Sequence, residues 1–216
     1  MSGAIVIGAG PGLGRSVARR FASHGLSVAA LARRPETVEP LARELEAMGV
    51  PSLALAADVT DEDSLRAALD RATERFGVPD VAVYNAARIQ ADAPAALPAR
   101  GHLDAWAVNV VGALTTAGHV LPAMIERGVG SFLVTGGMPE PVAAYTSLSL
   151  GKAGVRALVQ LLDEEYGPAG IHVATVTVFG GIAPGTRFDP DDIAEHYWRL
   201  HRQPPGAWQR EVAYTG

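Results

Sequence analysis

The chain has 216 residues, 48% of them hydrophobic and 19% charged, with a formal net charge of −5 and no cysteine. That length suits one domain, 1–216, with a substantial core, and the composition is that of a soluble globular protein. The acidic balance argues against a nucleic-acid surface, which needs clustered Lys and Arg, and the lack of cysteine excludes disulfides, thiolate nucleophiles and Cys-based metal sites.

In chain order, strand-like apolar runs fall at 4–7, 26–31, 52–56, 81–84, 131–135 and 171–178. Helical patterns lie between them, near 13–24, 36–48, 63–76, 103–126 and 146–166, with Thr60 or Asp61 capping the third. The stretch 91–99 reads as an irregular connection, and a helix at 190–201 and a short strand at 211–214 end the chain. Continuous rather than alternating apolar strands indicate burial on both faces, so the repeated strand–helix–strand units predict a doubly wound α/β domain. The start at Met1 lacks the basic and apolar regions of a signal peptide, and no apolar run approaches the roughly 20 residues of a membrane span. A cytoplasmic location without membrane contact is expected.

The first strand runs into Gly8-Ala9-Gly10-Pro11-Gly12-Leu13-Gly14 and then a helix. Gly8, Gly12 and Gly14 form a variant of the dinucleotide fingerprint, where absent Cβ atoms let a diphosphate approach the backbone. Free N–H groups and the positive dipole end of the following helix suit the anion. An acidic residue at the end of the second strand would accept from a ribose 2′-OH; this chain has Leu31-Ala32-Arg33-Arg34 instead. Arg33, with help from Arg15, can pair with a 2′-phosphate, which favours NADP(H) over NAD(H).

On these residues and those that follow, the chain resembles the short-chain dehydrogenase/reductase family over most of its length. Asp58-Val59 resembles that family's adenine-contacting pair, Asn85-Ala86-Ala87 its Asn-Ala-Gly, Asn109 the helix asparagine supporting a proton-relay water, and Lys152 the lysine that binds the nicotinamide ribose. Gly181 and Ile182 stand where the family's backbone contacts the carboxamide. The resemblance implies a Rossmann-type fold, a seven-stranded, mostly parallel sheet with helices on both faces. It also implies a small-molecule substrate and association as a homodimer or homotetramer through the helices at 103–126 and 146–166.

The family's general acid, a tyrosine four residues before the lysine, is replaced by Leu148, and its serine by Gly136 or Gly137. Thr135, thirteen residues before Leu148, could retain a hydroxyl, and Tyr145 lies two helical turns before Lys152. Thr146, Ser147 and Ser149 are further hydroxyls nearby. The expected reading is an NADP(H)-dependent oxidoreductase with an atypical site. A cofactor-binding protein without redox activity, or a non-redox enzyme on the same scaffold, is the alternative. The segment that commonly covers the substrate is reduced to 183–189. His196 and His201 lack the spacing of a helical metal pair, His102, His119 and His172 are isolated, and no metal is expected.

Overall fold

Residues 3–216 are described in the computed structural model. The chain alternates β1 (Gly3–Ile7), α1 (Leu13–Ser23), β2 (Ser27–Ala32), α2 (Pro35–Ala47), β3 (Ser52–Ala56), α3 (Glu62–Phe76) and β4 (Val81–Tyr84). Next come α4 (Ala99–Trp106), a π-helical turn at Ala107–Val111, α5 (Gly112–Arg127), β5 (Gly130–Gly137), α6 (Thr146–Tyr166), β6 (Ile171–Val178), α7 (Pro190–His201) and β7 (Glu211–Tyr214). The sheet order is β3-β2-β1-β4-β5-β6-β7, and all six pairings are parallel. This is the expected seven-stranded doubly wound sheet, with the direction of winding reversing between β1 and β4.

Alternate residues of each strand supply two cores. Ile5, Ile7, Tyr84 and Phe132 pack with α3, α5 and α6 on one face; Val6, Val83, Leu133 and Val176 pack with α1, α2 and α7 on the other. Burial on both faces is why the central strands read as unbroken apolar runs.

Two boundaries differ from expectation by more than one residue. β5 runs to Gly137, because Gly136 and Gly137 continue the ladder against Thr177 and Val178. The helix expected at 103–126 begins at Ala99 and is interrupted by the π-helical turn. Asp61, one of the two expected caps, caps α3 by accepting from the Ser64 amide at 3.0 Å. The combined helix Ala99–Arg127 is long and apolar enough to cross a membrane by length and composition alone. Half of its apolar window is buried in the fold, the pattern of a core helix that carries apolar side chains on its outer face as well.

Candidate active site

Strand ends in an open parallel sheet leave a crevice at the reversal of winding, beyond their carboxyl ends. Here that crevice is one cavity of about 1600 Å³, reaching from the glycine loop and the end of β2 across β4 and β5 to Lys152 and Ile182. It exceeds the range of roughly 300–1,000 Å³ that holds a drug-sized molecule, so it has room for a dinucleotide and a second ligand.

The loop glycines divide the labour. Gly8 has φ +83°, and a Cβ there would lie 2.4 Å from the Ala86 amide nitrogen. On Gly14 a Cβ would lie 2.2 Å from the Gly8 carbonyl oxygen. Both are therefore demanded by close packing of loop, helix and β4. Gly12 is different: a Cβ would meet nothing within 4 Å, so its surface is open to the cavity. No side chain caps α1 at Gly12, which leaves the helix end facing the same space beside Leu13. This cradle fits a diphosphate.

Arg33 is exposed on the cavity wall, and among the described residues it makes no ion pair. Arg15 does not line the cavity: its Nε and Nη2 donate to the two carboxylate oxygens of Glu44, at 2.8 and 2.9 Å. Asp58 and Val59 form part of the wall; the Asp58 carboxylate accepts from the Thr60 amide and hydroxyl, which hold its pKa below the usual range. Ala86 lines the cavity beside Asn85, and Gly181 and Ile182 close the wall beyond β6. Gly180 is fixed by packing, since a Cβ there would strike the Phe188 ring.

Asn85 is the hub. Its Nδ2 donates to the Gly8 carbonyl at 2.8 Å, so its Oδ1 faces Thr135, whose hydroxyl donates to it at 2.8 Å. With that hydrogen used, Thr135 accepts from the Tyr197 hydroxyl, 2.6 Å away on α7. Burial pushes the Tyr197 phenol up and keeps it neutral. The relay Tyr197–Thr135–Asn85–Gly8 therefore ties α7 and β5 to the glycine loop, and the Thr135 hydroxyl is committed to it.

Lys152 is buried on α6, donates from Nζ to the Thr135 carbonyl at 2.6 Å, and is lowered to about 8 by desolvation. One helical turn earlier, Leu148 is buried against the same cavity and offers no proton. Tyr145 also lines the cavity, at the N-cap of α6, and its hydroxyl makes no hydrogen bond among the described residues. Thr146 and Ser149 bond back to Ala143 and Val142, and Ser147 lies beside Asp92 and Gln90. Asn109 sits in the π-helical turn with its amide on the backbone of Arg88: Oδ1 accepts at 2.9 Å and Nδ2 donates at 3.5 Å. Gly151 makes room for it, since a Cβ there would lie 2.7 Å from that of Asn109.

Of the two glycines at the end of β5, only one has space. A Cβ on Gly136 would lie 2.4 Å from Thr177 Oγ1, whereas on Gly137 the nearest atoms are Val178 O at 3.7 Å and Lys152 Cε at 3.9 Å. The following Met138 adopts φ +47°, and Arg156 Nη1 donates to the Gly137 and Met138 carbonyls at 3.1 Å. Arg88 and Gln90 are among the cavity residues that the sequence reading does not single out. They follow Asn85-Ala86-Ala87, and a charge placed directly after a buried strand was the available signal.

A model of the short chain dehydrogenase family matches residues 2–187. Oxidoreductase UcpA of Escherichia coli is 34% identical over 179 residues, 80% of this chain and 66% of that protein, so the chain spans just under two thirds of that relative's length. A short-chain dehydrogenase from Rhodopseudomonas palustris superposes with a TM-score of 0.91 at 26% identity, covering 100% of this chain and 98% of that one. A metagenomic short-chain oxidoreductase in complex with NADP gives 0.90 at 27% identity, covering 100% and 97%. The chain belongs to the short-chain dehydrogenase family of nicotinamide-dependent oxidoreductases.

Proposed function

We propose that the protein is an NADP(H)-dependent oxidoreductase acting on a small organic molecule without a tyrosine proton donor. The observation that carries this reading is the single cavity that joins the open Gly12, the unpaired Arg33 and Lys152 while placing Leu148 one turn before that lysine. Absence of a carboxylate at the end of β2, and the bound NADP of the metagenomic relative, support the phosphorylated cofactor.

When bound, the nicotinamide supplies or accepts the hydride. The α1 N-terminus at Gly12 and Leu13 would hold the diphosphate, and the Arg33 guanidinium would pair with a 2′-phosphate. Asp58, Val59 and Ala86 border the adenine. Lys152 Nζ, charged below about pH 8, holds the ribose hydroxyls. The Asn109 amide, held on the Arg88 backbone through Oδ1 and one Nδ2 hydrogen, fixes the chain after β4. Leu148 excludes water where an acid would stand. This site suits an iminium or similar substrate that needs no proton, or one protonated by water or by Lys152. Loss of a general acid typically lowers rate by about 10²–10⁴-fold, so turnover is slow or specialised.

Following nicotinamide absorbance with NADPH and a panel of imines, enones and ketones tests the reading. Tight NADPH binding with no oxidation across the panel would overturn it and favour a cofactor-binding protein without redox activity, the reading that Leu148 otherwise supports. The oligomeric part of the proposal rests on Leu103, Leu114, Leu150 and Leu161, which expose an apolar face along α4, α5 and α6. Light scattering should give a dimer or tetramer that Leu114→Glu dissociates.

A further inference from the structure

The part of the cavity beyond the cofactor cradle contains a cation, Arg88, that among the described residues pairs with no carboxylate. Arg88 follows β4 on the loop that carries Asn85, and its backbone is clamped on both sides by the Asn109 amide. Its Nε donates to Gln90 Oε1 at 2.9 Å. Gln90 Nε2 in turn donates to Asp92 Oδ2 at 3.2 Å, and Asp92 Oδ1 accepts the Ser147 amide at 3.0 Å. The side chain is therefore aimed by a chain of three bonds, while Nη1 and Nη2 make no hydrogen bond among the described residues. Asp92 lies one residue removed, behind Gln90 and committed to Ser147. Asp104 is engaged by Arg100 at 2.8 Å, and Glu140 is exposed at the mouth. The same cavity is lined by the apolar Ile89, Val142, Leu148 and Ile182 together with polar side chains such as Tyr145.

The two unbonded Nη groups lie in one plane on the cavity wall and match the two oxygens of a carboxylate. A lysine would offer a point charge; the planar fork selects a bidentate, singly charged partner. The other cations on this side, Lys152 and Arg100, are turned onto the Thr135 carbonyl and Asp104, so a phosphate dianion would find only one unengaged arginine. We infer that Arg88 anchors the carboxylate of the substrate, which makes the substrate a small apolar monocarboxylate whose reacting carbon lies toward Lys152. The inference rests on the assignment of the cavity to cofactor plus substrate, and its test reads binding rather than turnover.

Calorimetric titration of the NADP-loaded protein with 3-phenylpropanoate and with the neutral 3-phenylpropanamide compares two probes of one shape. The acid is expected to bind at least about tenfold more tightly, the lower end for hydrogen bonds to a charged group. Arg88→Leu should abolish that preference and Arg88→Lys should keep part of it, with NADPH affinity unchanged in both. Arg88→Gln replaces the leucine variant should that fail to fold. Equal affinities for the two probes in the wild type, or a preference that survives in Arg88→Leu, would overturn the inference. A wild type that prefers the acid yet never oxidises NADPH would sink the redox reading and leave the anchor standing.

Discussion

Replacing Thr135 by valine cuts the relay that joins α7 to the glycine loop while keeping the side chain's shape. The Tyr197 hydroxyl, fully buried, loses its acceptor, and Asn85 Oδ1 loses its donor. A buried unsatisfied polar group costs about 1–3 kcal/mol. Asn85 is half-buried and borders the cavity, where water can replace the lost donor, so the Tyr197 phenol dominates. The expected destabilisation is about 2 kcal/mol, which for a chain of this size lowers Tm by about 4–8 °C. Tyr197→Phe in the Thr135→Val background removes the stranded hydroxyl, so the double variant should be more stable than the sum of the single effects. The difference should be about 1 kcal/mol, measured by thermal melts of all four proteins. NADPH affinity should fall with stability, because Asn85 also holds the Gly8 carbonyl. The relay is refuted if the single effects add within about 0.5 kcal/mol. A Thr135→Val variant with normal Tm and no turnover would instead make that hydroxyl catalytic.

Gly14→Ala forces a Cβ against the Gly8 backbone and should lose stability and NADPH affinity together. Gly12→Ala, which meets no atom, should keep Tm within a few degrees while weakening NADPH; equal melting losses in the two variants would contradict these separate roles. Burial lowers Lys152 from 10.5 to about 8, so the unfolded chain binds more protons between those values and stability rises with pH across that window. Lys152→Met should flatten the rise, worth about 3 kcal/mol at most, in denaturant titrations between pH 7 and 11; an unchanged slope would refute the burial argument. Burial likewise pushes His201 from 6.5 to about 4, so stability falls as pH drops through that window. His201→Gln should shrink the fall by up to about 3 kcal/mol, leaving the contributions of His172 and His196, which burial also lowers. Identical acid slopes would count against it.

Much of the fold was legible because its signals are local. Apolar runs mark strands buried on both faces, and the glycine spacing marks the loop after β1. The individual roles were not, because they depend on neighbours far along the chain. Gly8 and Gly14 are constrained by packing against Ala86 and each other, while Gly12 is open, and spacing cannot tell these apart. Arg15 reads as a phosphate ligand until Glu44, on the next helix, takes its guanidinium. Nothing local singles out Tyr197, which the fold brings to Thr135 across 62 positions. The end of β5 was set short because glycine is a poor strand former. There the Thr175 and Thr177 hydroxyls fill the space a side chain would have taken at Gly136, so the ladder continues.

That packing decides how an ordinary catalytic pair could be restored. Leu148→Tyr places a phenol one helical turn before Lys152 on a surface that already faces the cavity. A serine to accompany it cannot stand at Gly136, where the Cβ alone would come within 2.4 Å of Thr177 Oγ1, 2.7 Å of Thr175 Oγ1 and 3.0 Å of the Thr177 Cα. Gly137 admits a Cβ at ordinary van der Waals distance and next to Lys152 Cε. Leu148→Tyr with Gly137→Ser should therefore gain NADPH-dependent reduction of simple ketones, by about 10²–10⁴-fold over the parent, the usual worth of a placed general acid. Leu148→Tyr with Gly136→Ser should gain nothing and melt at a lower temperature. If the second pair gained activity and the first did not, Gly136 would be the serine position and the threonines of β6 would have to yield to it. Failure of both pairs, with NADPH still bound, would place the obstacle in the substrate half of the cavity, where Arg88 rather than a phenol sets what can enter.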